Sequence, residues 1–248
     1  MVAPPLPRAL WLVRHAQSDG NVAREAAETG GQEIIDIAER DADVRLSALG
    51  EQQARAFGRW VAGQPPERRP TVVVTSPFVR TVTTARLIVE ESGLDVTLDV
   101  DERLRDRELG VLDLLTKRGV LARFPEEAER RQRIGKYYHR PPGGESWADL
   151  CLRLRAVLAD VARAYRDERV LLVTHEVPVH LVRHLVEGSS EQEVLESSRE
   201  VEYANCALTA FERDGDGRLE LTAFNHTVPV EAEGAPRTEE SDVPVAPR

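Results

Sequence analysis

Three short apolar runs constrain this fold more than any other feature. Residues 9–13 (ALWLV), 71–75 (TVVVT) and 169–174 (RVLLVT) are continuous, and the second is wholly β-branched. Parallel strands covered on both faces read this way; a strand with one wet face would alternate apolar and polar residues. Segments of helical period separate the runs. Residues 46–61 carry Leu49, Ala54, Phe57 and Val61 at helical spacing, with Ser47 and Glu51 forming a capping pattern at the start. Residues 78–91, 146–165 and 177–186 also predict helices, and 116–133 some helix. Residues 96–100 predict a short strand. Residues 202–212 and 218–225 predict two strands joined by Asp214-Gly215-Asp216-Gly217, a hairpin signal. Strand–helix alternation predicts an α/β fold. The expected form is a three-layer α/β/α sandwich on a mostly parallel sheet of about six strands, with an antiparallel edge strand. A (β/α)8 barrel suits the length of 248 residues, but too few strands are readable and the last two lack a helix between them.

The ends differ from the middle. Residues 1–8 hold Pro4, Pro5 and Pro7, and residues 229–248 hold four prolines, five acidic residues and no aromatic. Both read as disordered tails. A single domain is therefore expected over 9–228, with an irregular, Arg-rich insert or lid at about 101–145.

Charge narrows the partners. Lys+Arg 33 against Asp+Glu 43 leaves −10, which disfavours nucleic acid and anionic membranes as partners, since both need a basic face. A small anionic substrate remains compatible, because a pocket can be basic on an acidic protein. Cys151 and Cys206 make no disulfide framework, and no Cys/His spacing suits zinc. The early apolar run ends at Arg14, too short for a signal core or a membrane span. A soluble, cytoplasmic protein is expected; a homodimer is left open.

Chemistry concentrates after the strands, where open α/β sheets bind ligands. The first run leads into Arg14-His15-Ala16-Gln17-Ser18-Asp19-Gly20-Asn21, the second into Ser76-Pro77-Phe78-Val79-Arg80, the third into His175-Glu176. One histidine or arginine at a strand end is ordinarily structural. Two of each at three strand ends suggest a shared anion site, because guanidinium groups grip phosphate or carboxylate and a histidine can attack phosphorus.

These segments resemble the histidine phosphatase superfamily, also called the phosphoglycerate mutase-like family. Arg14-His15-Ala16-Gln17-Ser18 is similar to its Arg-His-Gly-Glu/Gln-Ser/Thr signature, and Asn21 matches a frequent asparagine. Residues 45–54 (RLSALGEQQA), 75–85 (TSPFVRTVTTA), 143–146 (GGES) and 173–175 (VTH) resemble further family motifs in family order. The resemblance covers roughly residues 9–226. It implies that His15 is a nucleophile forming a phosphohistidine, that Arg14, Arg80 and His175 surround the phosphoryl group, and that Asp106 is the general acid. It also implies phosphate or substrate contacts from Asn21, Gln17, Arg107, Glu108, Lys117 and Arg140, with no metal and no cofactor. Four positions depart from the pattern: Ala16 and Glu176 stand for glycines, Asp106 for a glutamate and Leu109 for the mutases' tyrosine.

Two segments keep alternatives open. Within Leu104-Arg105-Asp106-Arg107-Glu108-Leu109-Gly110, Glu108 rivals Asp106 as the acid, and a solvated charged loop is the bland reading. The basic stretch Arg130, Arg131, Arg133, Lys136, His139 and Arg140, with Tyr137 and Tyr138, reads as a solvated face, as a lid drawing in anions, or as a nucleic-acid patch. A phosphomonoesterase ranks first as function. A cofactor-dependent phosphoglycerate mutase is the alternative, disfavoured because Glu176-Val177 replaces a Gly-Asn pair. A non-catalytic phospholigand-binding module ranks last.

Overall fold

A computed structural model describes residues 6–239. Strand β1 (Ala9–Arg14) leads into helix α1 (Asp19–Thr29) and then α2 (Ala48–Ala62). Strand β2 (Val72–Thr75), helix α3 (Val79–Ser92) and the short β3 (Leu98–Val100) follow. The insert carries α4 (Lys117–Arg123) and α5 (Pro125–Ile134), two helices broken apart at Pro125. Then come α6 (Trp147–Ala164), β4 (Arg169–Thr174), α7 (Glu176–Glu187) and α8 (Glu191–Glu200). Strands β5 (Leu208–Arg213) and β6 (Leu219–His226) form the hairpin, and α9 (Val228–Glu231) is a single turn after it.

The six strands make one sheet in the order β3-β2-β4-β1-β5-β6. The first four run parallel; β5 pairs antiparallel with β1 and β6 antiparallel with β5, so the antiparallel pairings lie at one edge. Alternate residues of β1 enter opposite cores. Ala9, Trp11 and Val13 pack with α2, α3 and α9 through Phe57, Val61, Ile88 and Val230. Leu10 and Leu12 pack with α6 and α7 through Leu150, Leu154, Val179 and Leu181. This double burial is why β1 and β4 read as unbroken apolar runs. Removing one such side chain, as in Phe57→Ala, is expected to cost about 3–5 kcal/mol.

The three apolar runs sit where the sequence predicts, within a residue or two, and the expected Ser47 cap accepts from the Gly50 amide at 3.0 Å. The strand expected over 202–212 begins only at Leu208, because residues 204–207 close a turn in which the Ala207 amide donates to the Ala204 carbonyl. Gly50 has a second task. A Cβ there would overlap the Gln17 carbonyl, so only glycine lets α2 approach the loop that follows β1. Gly50→Ala is expected to destabilise the fold by about 1–3 kcal/mol and displace that loop, which a thermal melt and the turnover rate together would reveal.

Two expectations about the ends need correction. Residues 6–8 are tied down: Arg8 N–H donates to Glu168 O at 2.9 Å, and Leu6 O accepts from Arg213 at 2.7 Å. The chain is already extending the sheet between β4 and β5 there. Residues 229–239 are likewise docked. Val230 and Ala235 are buried in the core under α2, and the backbone of Thr238 accepts from Asn205 N–H at 2.9 Å. Proline and acid content misled because two apolar side chains and a few carbonyls suffice to dock a short segment. The tails expected at 1–5 and 240–248 lie outside the described residues.

Candidate active site

The parallel register aligns Arg14 with Thr174 and Thr75 with Val173. Strands β2, β4 and β1 are neighbours, so their carboxyl ends deliver Ser76, His175 and His15 side by side. The His15 and His175 rings lie 5.2 Å apart, edge to face at 65°. Both are fully buried. The Nδ1 of His15 sits 2.7 Å from the Ala16 carbonyl. A carbonyl only accepts, so Nδ1 carries the proton and Nε2 is the basic nitrogen. Arg14 is buried beside it and donates to the Tyr203 carbonyl at 2.5 Å.

His175 is held from behind by Ser76, whose Oγ is 2.8 Å from Nε2, and packs edge-on against Phe78. Its Nδ1 lies 3.8 Å from Asp106 Oδ2, and Arg80 Nη2 lies 3.8 Å from the same oxygen. Arg80 is nearly buried, passes over the Phe78 ring and donates to the Asp41 backbone carbonyl at 2.5 Å. His15, His175, Arg80 and Asp106 therefore converge, from four points spread between residues 15 and 175.

The two rival carboxylates part company. Asp106 is buried and accepts from the Arg107 amide at 2.8 Å. Arg153 on α6 clamps its backbone, donating to Arg103, Arg105 and Asp106 carbonyls at 2.5, 2.8 and 2.9 Å. Glu108 faces outward with 53% of its side chain exposed, 3.7 Å from Arg105.

The other expected contacts divide. Asn21 and Gln17 border the site, but both also serve as local braces. Asn21 forms a capping box with Ser18 at the start of α1, and Gln17 Oε1 accepts from Ser47 Oγ at 2.7 Å. Arg107 is buried in the insert, donating to Glu145 and His139 carbonyls at 2.7 and 3.2 Å. Burial lowers its pKa to about 10. Arg140 is exposed and pairs with Asp149 at the start of α6. Lys117 lines a shallow surface hollow with Glu28, Arg118, Leu121 and Ala122. Neither Arg140 nor Lys117 lines the pocket that contains Arg80 and Asn21.

The basic stretch is not a continuous surface. Lys136 stacks over Trp147 at 4.3 Å and donates to Ser198 at 2.9 Å; burial lowers its pKa to about 8. His139 is buried against Glu127 at 3.0 Å, and the Tyr137 hydroxyl donates to Cys151. The segment folds into the body as the stem of the insert.

Beside the cluster lies an open pocket lined by Ser18, Asn21, Arg24, Asp41, Arg80 and Asp113, with Ile35, Ile37 and Val44 as its apolar wall. Asp41 and Asp113 came from no sequence signal, since both sit in irregular loops. Ser76 and Gln53 lay within matched motifs without a role attached. Among the described residues, no group of three or more His, Cys, Asp or Glu side chains is arranged to hold a metal ion, and no helix is long and apolar enough to cross a membrane.

A mostly parallel sheet with two histidines, two arginines and a carboxylate gathered at its strand ends defines a phosphoryl-handling α/β protein. The model of the histidine phosphatase superfamily (branch 1) matches residues 10–227; the chain belongs to that superfamily. It is 32% identical over 202 residues to a probable phosphoglycerate mutase of Enterobacter sp., covering 81% of this chain and 82% of that one. Among solved structures, it resembles a mycobacterial glucosyl-3-phosphoglycerate phosphatase with bound VO3. The TM-score is 0.65 and identity 26%, over 88% of this chain and 99% of the other. The α-ribazole phosphatase of Shigella flexneri shares the fold with TM-score 0.69 at 17% identity, over 88% and 96%.

Proposed function

We propose that this protein is a metal-independent phosphomonoesterase that works through a phosphohistidine on His15. The observation that carries this reading is the His15 tautomer: Nδ1 donates to the Ala16 carbonyl, so Nε2 keeps its lone pair for attack on phosphorus. Arg14 and Arg80 supply positive charge, and His175 a hydrogen-bonding ring, around the phosphoryl oxygens as they become equatorial in the transition state. Attack by Nε2 forms the N–P bond and breaks the P–O bond to the alcohol. Asp106 gives that alkoxide its proton. In the second step Asp106 takes a proton from water, whose oxygen attacks phosphorus and releases His15 and phosphate. Asp106 acquires its initial proton with the substrate.

The test is a rapid quench into alkali after mixing with substrate. An acid-labile, alkali-stable phosphate adduct on His15 is the expected outcome, and an adduct on serine or aspartate rejects the reading. Turnover is expected to persist in EDTA; abolition by EDTA and rescue by Mg²⁺ or Zn²⁺ rejects the metal-free part.

The pocket walls favour a substrate class. Asp41 and Asp113 face the same space as Arg24 and Arg80. Burial and the nearby Asp41 raise the Asp113 pKa; Glu108 is raised by burial, with Glu145, Asp41 and Asp113 adding to it. Crowded carboxylates disfavour another carboxylate and accept hydrogen bonds from hydroxyl or ammonium groups. A phosphate ester of a hydroxylated or amino alcohol is therefore expected to exceed 3-phosphoglycerate in kcat/KM by about tenfold or more. The reverse order across a substrate panel rejects this assignment. The mutase reading has its support in the relative of that name; isomerisation of 3-phosphoglycerate with added 2,3-bisphosphoglycerate, exceeding phosphate release, would establish it.

A further inference from the structure

The loop bearing His15 is held from below by a relay of hydrogen bonds that reaches the far end of the described chain. The Gln17 amide donates to Gln53 Oε1 at 2.9 Å. Gln53 Nε2 donates to Thr238 Oγ1 at 2.9 Å, and to the Pro236 carbonyl at 2.9 Å. The Thr238 hydroxyl donates to Asn205 Oδ1 at 2.9 Å. Asn205 Nδ2 donates to the His15 carbonyl at 3.0 Å. The relay thus starts on one backbone group of the nucleophile loop and ends on another, two residues away.

Its directions are fixed throughout. A backbone N–H can only donate and a carbonyl can only accept, so the two ends set the orientation of both side-chain amides. The Thr238 hydroxyl joins them by accepting from one and donating to the other. Gln53 and Asn205 are almost wholly buried and Thr238 is half-buried, so the two amides depend on their partners in the relay more than exposed groups would. Asn205 is fixed further by its backbone, which donates to the Thr238 carbonyl at 2.9 Å, and the next residue, Cys206, has a left-handed φ of 55° while its amide donates to Arg14 O at 3.1 Å. A β-turn-like corner at 205–206 is thus locked between the C-terminal segment and the loop after β1.

We propose that residues 229–239 act as a positioning brace for the nucleophile, with Thr238 joining Gln53 and Asn205 so that the His15 loop keeps its reactive geometry. This rests on His15 being the nucleophile. Thr238, Gln53 and Asn205 are positioning residues, since none is placed against the reacting phosphate. Attack at phosphorus is sensitive to misplacement of the nucleophile by fractions of an ångström, and about 1 Å can cost roughly 10²-fold. Loss of the joining hydroxyl should therefore act on kcat, while phosphate affinity, to which Arg80 contributes from α3 outside the relay, changes little.

The experiment compares Thr238→Val, which is nearly isosteric but lacks the hydroxyl, with Thr238→Ser, which restores it. Steady-state p-nitrophenyl phosphate hydrolysis and thermal unfolding are measured on the full chain. Thr238→Val is expected to lose about tenfold or more in kcat with KM within about twofold, and Thr238→Ser to recover to within about twofold of wild type. Gln53→Glu keeps the acceptor for Gln17 and removes the donors to Thr238 and Pro236; it should show the same selective loss, which secures the test should Thr238→Val unfold. Wild-type kcat in Thr238→Val or in Gln53→Glu overturns the brace, as does an equal loss in Thr238→Val and Thr238→Ser. Full activity in His15→Ala overturns the nucleophile assignment, and the brace with it. A dead His15→Ala beside an unaffected Thr238→Val overturns the brace alone.

Discussion

His15→Ala is expected to cut turnover at least about 10⁴-fold while leaving a folded protein that still binds inorganic phosphate. The magnitude is that of losing a nucleophile for which no neighbour substitutes. His175 is the nearest imidazole, but its Nε2 is engaged with Ser76 at 2.8 Å, so the in-line position would be empty. The guanidinium groups of Arg14 and Arg80 remain, so millimolar phosphate should still raise the unfolding temperature of the variant. Residual turnover within tenfold of wild type, or loss of the phosphate effect together with activity, contradicts the division of labour drawn here between nucleophile and cage.

The second large effect separates the two carboxylates of the insert. Asp106→Asn is expected to slow hydrolysis of alkyl and sugar phosphates by roughly 10²–10⁴-fold, the usual scale of general acid catalysis. It should slow p-nitrophenyl phosphate far less, because that leaving group departs without a proton. Glu108→Gln should leave the ratio between those two substrate types within a few-fold of wild type. The geometry accounts for the contrast. Asp106 is buried within 3.8 Å of Arg80 and His175, while Glu108 is over half exposed beside Arg105. Selective loss of alkyl phosphate turnover in Glu108→Gln, with Asp106→Asn unaffected, would transfer the role to Glu108.

Those two residues also mark where reading the sequence stops. In a regular strand, residues two apart share a face; residues 105–109 form no strand, and their irregular backbone turns Asp106 inward, as its spacing to Leu104 and Gly110 favoured, and Glu108 outward. What holds it there is Arg153, forty-seven residues later on α6, and no local pattern announces that contact. Lys117 and Arg140 show the opposite failure. Their charge suited a phosphate site, but one begins a helix over a surface hollow and the other pairs with Asp149. Helices α1 and α8 were missed for a related reason. Each buries so few apolar residues, Ala27 in one and Val194 in the other, that no apolar stripe appears in its sequence.

The sequence by itself determined the elements whose cause is local. Apolar runs became β1, β2 and β4, Ser47 with Glu51 behind it became the start of α2, and the Asp-Gly-Asp-Gly stretch became the β5–β6 turn. It also determined which side chains stand just past each strand, since that follows from chain order alone. Tertiary structure decided what those side chains meet. The order β2-β4-β1 brings His15, Ser76 and His175 to one crevice, and packing of α6 turns Asp106 inward. Residues 229–239, read as a tail, lie under the nucleophile loop. The reason is physical: strand formation and helix capping depend on neighbours within a few residues. Strand order, the partner of a buried amide and the direction of an arginine depend on which surfaces close over one another, and a linear pattern carries no record of that closure.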